Sequence, residues 1–511
     1  MSARISLDAY PGLPPLSRDF RAGGNPLYPD PPTWEAAAAR GKEILGTAAR
    51  VPASAFAFRG EEARRKAEDL AAGRAVAVVT GQQVGIFTGP MMTLLKAFDA
   101  LRAARELSRR GVPAAAVFYA LTDDHDLEEV AHTARPGEDG VEKLVLEGAD
   151  RANRRPVGPL PIPERIREIV DAFRADAKAP DGLEFLEAFA RRAQPGVSYR
   201  DAFVETLLDL TDGEPLLVLD PMEPAAREEA AALLRDAVAA AEPLREALAR
   251  RAAEIERLGR PLPVAVRDGA FPFFLVENGE RRRVEDPRAA RGKVDAGGAW
   301  VSADVLSRPV LKSRLLPAAA SVLGPAEIGY HAQCLPLFPL LGAPVPVLLP
   351  RTHAVLLGPA ERRSIEALGL SREDLLRPIP RPPAPEPPAA GEIHRITRDT
   401  RERLDALEPD LSAIDPTLAG ALETARKKVA HQLEQLSGRI RKASENRDTV
   451  AERRRRRLEA WLAPGGVPAE RVYPPLVPLL SYGRQALEGL AAATREDGDG
   501  VRIVDLGLQA D

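Results

Sequence analysis

Chemistry is most concentrated in one short stretch, Thr122-Asp123-Asp124-His125-Asp126-Leu127-Glu128-Glu129-Val130-Ala131-His132, which holds two of the six histidines. His125 between carboxylates could serve as a general base, with Asp124 or Asp126 fixing its tautomer. The same Asp and His side chains could instead hold a divalent metal. The structural alternative is an acidic helix start, in which Glu128 and Glu129 complement the dipole. A second candidate is the turn Thr80-Gly81-Gln82-Gln83-Val84-Gly85-Ile86-Phe87-Thr88-Gly89-Pro90. Its glycines let the backbone approach a ligand, Gln82 and Gln83 bring amides, and a helix opening at Pro90 offers N–H groups to an anion. It matches neither the P-loop nor the GxGxxG pattern, so an ordinary strand-to-helix turn is the competing reading. A third is Gly324 to Gln333, where Glu327, Tyr330 and Gln333 recur at helical spacing and could present one polar face to an amine or hydroxyls. Arg351, at the end of VPVLLP, could clamp a carboxylate or pair with a surface acid.

Other features carry less. Cys334 lies among apolar residues and reads as a buried, inert thiol. The run Arg453–Arg457 suits a solvated helix end. His353, His394 and His431 have no polar company that singles them out.

These residues need a scaffold, and the apolar pattern supplies one. AVAVVT at 75–80 and AAAVFYAL at 114–121 read as strands buried on both faces, joined through a helix that ends at Gly111. Further short apolar runs at 215–221, 320–325 and 345–351 are separated by helical stretches. That alternation predicts an α/β fold with a doubly wound, mostly parallel sheet, whose ligands sit at the carboxyl ends of the strands. Around it we expect an N-terminal arm and helices (1–74), a first half-core (75–134), a helical connecting insertion (135–210) and a second half-core (211–377). The second half-core should carry a small β insertion near 261–300, with a hairpin turning at Asn278–Gly279. Trp34 to Gly73 reads as helical throughout. A proline-rich linker and heptad-patterned helices fill 378–465, and 466–511 should return to the core. The heptads predict an antiparallel helical hairpin with a long arm from about Pro416 to Trp461. Its seam could also join two copies.

The chain has 511 residues, a formal net charge of −4 and a single cysteine. Its 45% hydrophobic and 29% charged content is that of a globular protein and excludes disordered, collagen-like and disulfide-scaffold classes. The charge balance speaks against nucleic acid as the main partner. With no apolar run near the ~18 residues of a membrane span and no signal-like N-terminus, the expectation is a cytoplasmic protein without a membrane partner.

Taken together, TGQQVGIFTGPMMTLLKA, FYALTDDHDLEEVAH, SADVLSRPVLKSRLLP, GPAEIGYHAQ, PVLLPR and the late ERVYPPL…SYG resemble the BshC family, the cysteine-adding enzymes of bacillithiol biosynthesis. The resemblance runs in order from about residue 75 to Gly483. It implies a Rossmann-like core related to nucleotidylyltransferases and class I aminoacyl-tRNA synthetases, with helical insertions and an antiparallel coiled-coil arm. It also implies a cysteine ligase that joins the cysteine carboxyl to the amine of glucosaminyl-malate, the last step of bacillithiol synthesis. Activation would need ATP or another nucleotide. The resemblance places catalysis at His125, Asp126 and Asp124. Together with the residue readings above, substrate or nucleotide is expected at Gln82, Gln83, Phe87, Thr88, Gly89, Pro90, Lys96, Gly324, Glu327, Tyr330, Gln333 and Arg351, with no metal ligands assigned, and the apolar heptad seam makes a homodimer through the arm the expected assembly. Phe87–Pro90 stands where related folds carry an HxGH signature, and this chain has no such histidine pair. Three departures from the family pattern bear on the acceptor: His331 replaces an aromatic, and Asp304 and Pro474 each replace an asparagine. Two other readings stay open, a metal-dependent hydrolase using Asp124, His125 and His132, and a non-catalytic coiled-coil interaction protein.

Overall fold

The structure is a computed structural model that describes residues 4–137, 140–146, 154–265, 271–379, 387–445, 450–495 and 498–507. The chain divides into two compact units, Met1–Arg377 with Glu459–Asp511, and Pro378–Leu458.

The first unit is organised by five parallel strands: β1 (Val76–Gln83), β2 (Ala114–Leu121), β3 (Leu216–Leu219), β4 (Ala318–Leu323) and β5 (Val347–Pro350). Their spatial order is β5-β4-β1-β2-β3, with the antiparallel pair Phe56–Ala57 at the β3 edge. Strand order therefore reverses between β1 and β4, the arrangement of a doubly wound Rossmann-like sheet. Both faces are covered, which is why the strands are apolar throughout rather than alternating. Gly81 lies in register with Tyr119, and a Cβ there would sit 2.5 Å from the Tyr119 carbonyl oxygen. Gly81→Ala is therefore expected to force β1 and β2 apart and lower stability by about 1–3 kcal/mol, read from a urea unfolding curve.

Helix α1 (Met92–Arg109) connects β1 to β2 and buries most of one long face in the core. It starts two residues after Pro90, because Phe87, Thr88 and Gly89 all have left-handed φ values of 53–67° and the chain is still turning there. Elsewhere the sequence pattern is interrupted in ways composition does not announce. The stretch read as one helical region from Trp34 to Gly73 is two helices, Trp34–Ile44 and Gly60–Ala71, separated by Pro52 and the strand Phe56–Ala57. The stretch 135–210 does hold three helices, Ile166–Arg174, Gly182–Arg192 and Tyr199–Leu210. It opens, however, with an antiparallel pair, His132–Gly137 and Gly140–Val145, whose second strand is mostly exposed and so lacks an apolar signature. The hairpin Phe273–Glu277 and Glu280–Arg283 turns at Asn278–Gly279, where φ values of 53° and 80° suit that dipeptide. The chain's last strand, Val501–Asp505, pairs parallel with His353–Leu357 and antiparallel with Arg4–Ile5.

The second unit is helical: Pro388–Ala406, Glu408–Ile414, Leu418–Glu445 and the first part of Val450–Leu462. Pro388–Ala406 packs along Leu418–Glu445, and Arg426 of the latter pairs with Asp405 of the former and with Glu408 of the short helix between them. The proline run expected as a linker lies largely outside the described residues, as does the middle of the long arm at 446–449. Among the described residues, no helix is long and apolar enough to cross a membrane.

Candidate functional site

At the carboxyl ends of β1, β2, β4 and β5 lies a cleft of about 360 Å³. It opens at the point of strand-order reversal, where parallel α/β sheets leave room for a ligand between diverging loops. The sheet contributes Gly81, Gln82 and Gln83 from β1, Leu121 from β2, Gly324 after β4 and Arg351 after β5. Helix α1 contributes Met92 and Lys96. Helix α2 (Arg308–Leu315) contributes Arg308 and Lys312, and helix α3 (Pro325–Cys334) contributes Glu327 and Tyr330. Tyr10, Glu129 and Arg471 complete the polar lining.

A buried ammonium organises the floor. Lys96 Nζ lies 2.6 Å from Glu327 and donates to the Gly81 carbonyl at 3.0 Å and to Gln82 Oε1 at 2.8 Å. Burial pushes the Lys96 pKa down, with Glu327 pulling against it. Burial would raise the Glu327 carboxyl, but Lys96, Lys312 and the Gly324 N–H hold it low and ionised. Gly324 allows this convergence: a Cβ there would lie 3.2 Å from Glu327 Oε2, 3.6 Å from Arg351 Nε and 3.9 Å from Lys96 Cε. Tyr330 is kept a neutral phenol by burial and by the Glu327 charge. Lys312 makes no ion pair among the described residues; its ammonium stands 5.0 Å over the Tyr119 ring. Burial, with Arg308 and Lys96 nearby, pushes its pKa down to about 8. At the rim, Gln83 Nε2 donates to Glu129 at 3.2 Å and to Asp124 at 3.3 Å. Lost hydration and the like charges of Asp126 and Asp124 push the Glu129 carboxyl up.

The structure gathers Gln82, Gln83, Lys96, Gly324, Glu327, Tyr330 and Arg351 into this one cleft. The other expected residues go elsewhere. The Phe87 ring is driven into the core, edge-on to Phe173 and Phe189 at 5.7 Å each, and Thr88 is fully buried. Gly89 and Pro90 form the turn beneath them. The start of α1 is no open anion seat, since the Met91 N–H donates to the Tyr473 carbonyl at 2.7 Å and the Thr93 N–H to Pro90. Gln333 turns away and exchanges two hydrogen bonds with the Val264 backbone. Asp126 caps the short helix Leu127–Val130 through the Glu129 N–H. His125 stands in a separate cavity with Phe274 and Arg283, its Nδ1 2.7 Å from Arg281. Burial would raise the Asp124 carboxyl, but His125, Arg308 and Arg281 hold it well below the carboxylate range, so it serves as an anchor for two guanidiniums. His132 Nδ1 bonds the Glu128 carbonyl at 2.8 Å, and no group of three His, Cys, Asp or Glu side chains among the described residues is placed to hold a metal. The hydrolase constellation Asp124/His125/His132 therefore does not assemble.

Sequence reasoning missed Tyr10, Glu129, Arg308, Lys312 and Arg471. By sequence Glu129 reads as a dipole partner; Arg308 and Lys312, four apart on one helix face, carry a usable signal in RPVLK; Tyr10 and Arg471 carry none. The departures His331, Asp304 and Pro474 do not line the cleft. Asp304 accepts from the Leu306 and Ser307 N–H groups ahead of α2. His331 is buried, stacked on Tyr330 at 5.1 Å, with Nδ1 2.8 Å from the Glu327 carbonyl. Burial lowers its pKa to about 4. Below the unfolded value of ~6.5 the unfolded chain then takes up a proton that the folded chain refuses. This residue's share of stability is thus complete above pH 6.5 and declines by about 1.4 kcal/mol per unit as pH falls to 4. Denaturation of wild type and His331→Phe against pH would show it, with the shallower slope in the variant.

A doubly wound Rossmann-like core with a charged cleft at its switch point, joined in one chain to a helical unit, is the class this architecture defines. Residues 37–352 match the family model "Bacillithiol biosynthesis BshC, N-terminal Rossmann-like domain", and residues 390–505 match "Bacillithiol biosynthesis BshC, C-terminal coiled-coil domain". The chain belongs to the BshC family. Relatives named "Putative cysteine ligase BshC" include one from Solibacter usitatus, 32% identical and covering 80% of each chain. Another, from Koribacter versatilis, is 30% identical over 82% of each. A third, from Thermus thermophilus, is 31% identical over 85% of this chain and 89% of that one.

Proposed function

We propose that this protein is a cysteine ligase that joins the carboxyl of L-cysteine to the amine of glucosaminyl-malate, completing bacillithiol. The observation that carries the reading is the cleft at the β1/β4 switch point, where fixed carboxylates and cations converge within a chain of the BshC family. A free carboxylate is a poor acyl donor, so ATP or another nucleotide supplies the leaving group. Its phosphates would meet side-chain cations of the cleft, because the α1 turn spends the Met91 and Thr93 N–H groups internally. In the bond-forming step the acceptor nitrogen attacks the activated carbonyl carbon, the C–N bond forms, the C–O bond to the leaving group breaks, and the nitrogen loses a proton. Glu327 is committed to Lys96 and Gly324, whereas the Glu129 carboxylate accepts only from the Gln83 amide among the described residues and has a raised pKa, so Glu129 takes that proton. Because the three departures from the family pattern do not line the cleft, they give no reason to change the acceptor. The protein works in the cytoplasm as a homodimer through its helical unit, on which Ile414, Val429 and Leu436 leave apolar surface exposed.

Thiol profiling of a deletion strain against its parent tests this reading without knowledge of the nucleotide. Bacillithiol should vanish and glucosaminyl-malate accumulate. Unchanged bacillithiol in a strain with no second copy of the gene would refute it.

A further inference from the structure

Five cations line the cleft: Lys96, Arg308, Lys312, Arg351 and Arg471. Three are already neutralised. Lys96 pairs with Glu327 at 2.6 Å, Arg308 with Asp124 at 3.2 Å and Arg351 with Glu470 at 2.8 Å. Arg351 also spends a second nitrogen on the Thr352 carbonyl at 2.8 Å, so it is a poor clamp for a substrate carboxylate. Lys312 and Arg471 are different. Neither side chain has an ion-pair or hydrogen-bond partner among the described residues, and both face the same space, Lys312 half-buried within it and Arg471 exposed. A half-buried ammonium without a counter-ion is costly, and a bound anion would relieve that cost. Against these two charges the lining offers only Glu129 as an unpaired carboxylate.

We propose that Lys312 and Arg471 together seat an oxyanion of a substrate in this cleft. The assignment rests on the ligase reading only for the identity of that oxyanion, which comes either from the carboxylates of the acceptor or from the phosphates of the activating nucleotide. The two residues belong to different elements, α2 and the turn Ala469–Arg471, so the anion bridges segments more than 150 residues apart. The groups facing Lys312 are Glu327 on α3, Lys96 on α1, Asp123 after β2, Arg308 on its own helix and the Tyr119 ring. Only Glu327 and Asp123 among them are acids, and neither comes within ion-pair distance of it.

The test is calorimetric titration of the full chain with malate alone and, separately, with ATP alone. Lys312→Gln and Arg471→Gln should each weaken the same one of these two ligands at least tenfold. Lys312→Arg should restore most of the affinity, which controls for damage to the fold. A loss confined to malate assigns the carboxylate source, and a loss confined to ATP assigns the phosphate source. Wild-type affinity should also fall as pH rises from 7 to 9, because the lysine gives up its proton near pH 8, and Lys312→Arg should flatten that dependence. Unchanged affinity for both ligands in both Gln variants, or no measurable binding of either ligand to wild type, would overturn the proposal. If wild type binds but makes no amide product from cysteine and glucosaminyl-malate, the ligase reading fails while the anion seat stands.

Discussion

Glu129→Gln is expected to lower kcat by about 10²–10⁴-fold while leaving the fold intact, the range over which a positioned general base contributes. The side chain keeps its shape, and its amide oxygen can still accept from Gln83 Nε2, so the rim of the cleft should not rearrange. What disappears is the ability to take a proton. The pH profile separates this role from mere positioning. In wild type the carboxyl is raised by lost hydration and by Asp126 and Asp124, so kcat should climb with pH through a value above that of an ordinary glutamate. In Glu129→Gln that acidic limb should be absent and the residual rate flat. A variant that retained wild-type kcat, or kept the limb, would remove Glu129 from the reaction. His125→Ala provides the contrast. His125 lies in the neighbouring cavity against Arg281, so its loss should change kcat much less than the loss of Glu129.

That contrast marks where sequence reading works and where it stops. The five strands of the sheet were legible because burial on both faces leaves an uninterrupted apolar run, and the Asn278–Gly279 turn because few other dipeptides tolerate two left-handed residues. The cleft was half legible. Gln82 and Gln83 close β1, Gly324 and Arg351 follow β4 and β5, and strand ends are where ligands bind in this kind of sheet. His125 was attractive for the same reason. Its true environment is set by Arg281, which approaches from a hairpin 156 residues away. Phe87 shows the converse. In sequence it is part of a glycine-rich turn, but two phenylalanines on the following insertion draw its ring inward, and the backbone accepts a left-handed φ to deliver it. The antiparallel pair after His132 was missed because an exposed strand such as GVEKLV has no periodicity to distinguish it from a loop. Each failure has the same cause: a residue's type fixes what it can do, and partners distant in sequence decide which of those things it does.

Glu470→Gln should then be the most damaging single change away from the cleft surface. Glu470 is 1% exposed and accepts from Arg351 at 2.8 Å, His353 at 2.8 Å, the Tyr10 hydroxyl at 2.7 Å and the Ala354 N–H at 2.8 Å. It thus joins the N-terminal segment, the end of β5 and the returning C-terminal segment at one buried point. Burial would raise its carboxyl, yet Arg351 and His353 keep it far below the carboxylate range, so it is charged at every working pH. A glutamine offers one acceptor oxygen in place of two and no charge, leaving the buried Arg351 guanidinium uncompensated. Breaking a buried pair in this way costs about 3–5 kcal/mol, which urea unfolding would read directly. Replacing both partners, Arg351→Met with Glu470→Gln, should cost less than the sum of the single changes, because no unpaired charge remains. The cleft would register the damage too. Tyr10 and Arg351 both line it, so a Glu470→Gln protein still folded at low temperature should show a raised KM, with kcat falling less than in Glu129→Gln. A loss below about 1 kcal/mol, the scale of an exposed pair, would mean that this network does not hold the segments together.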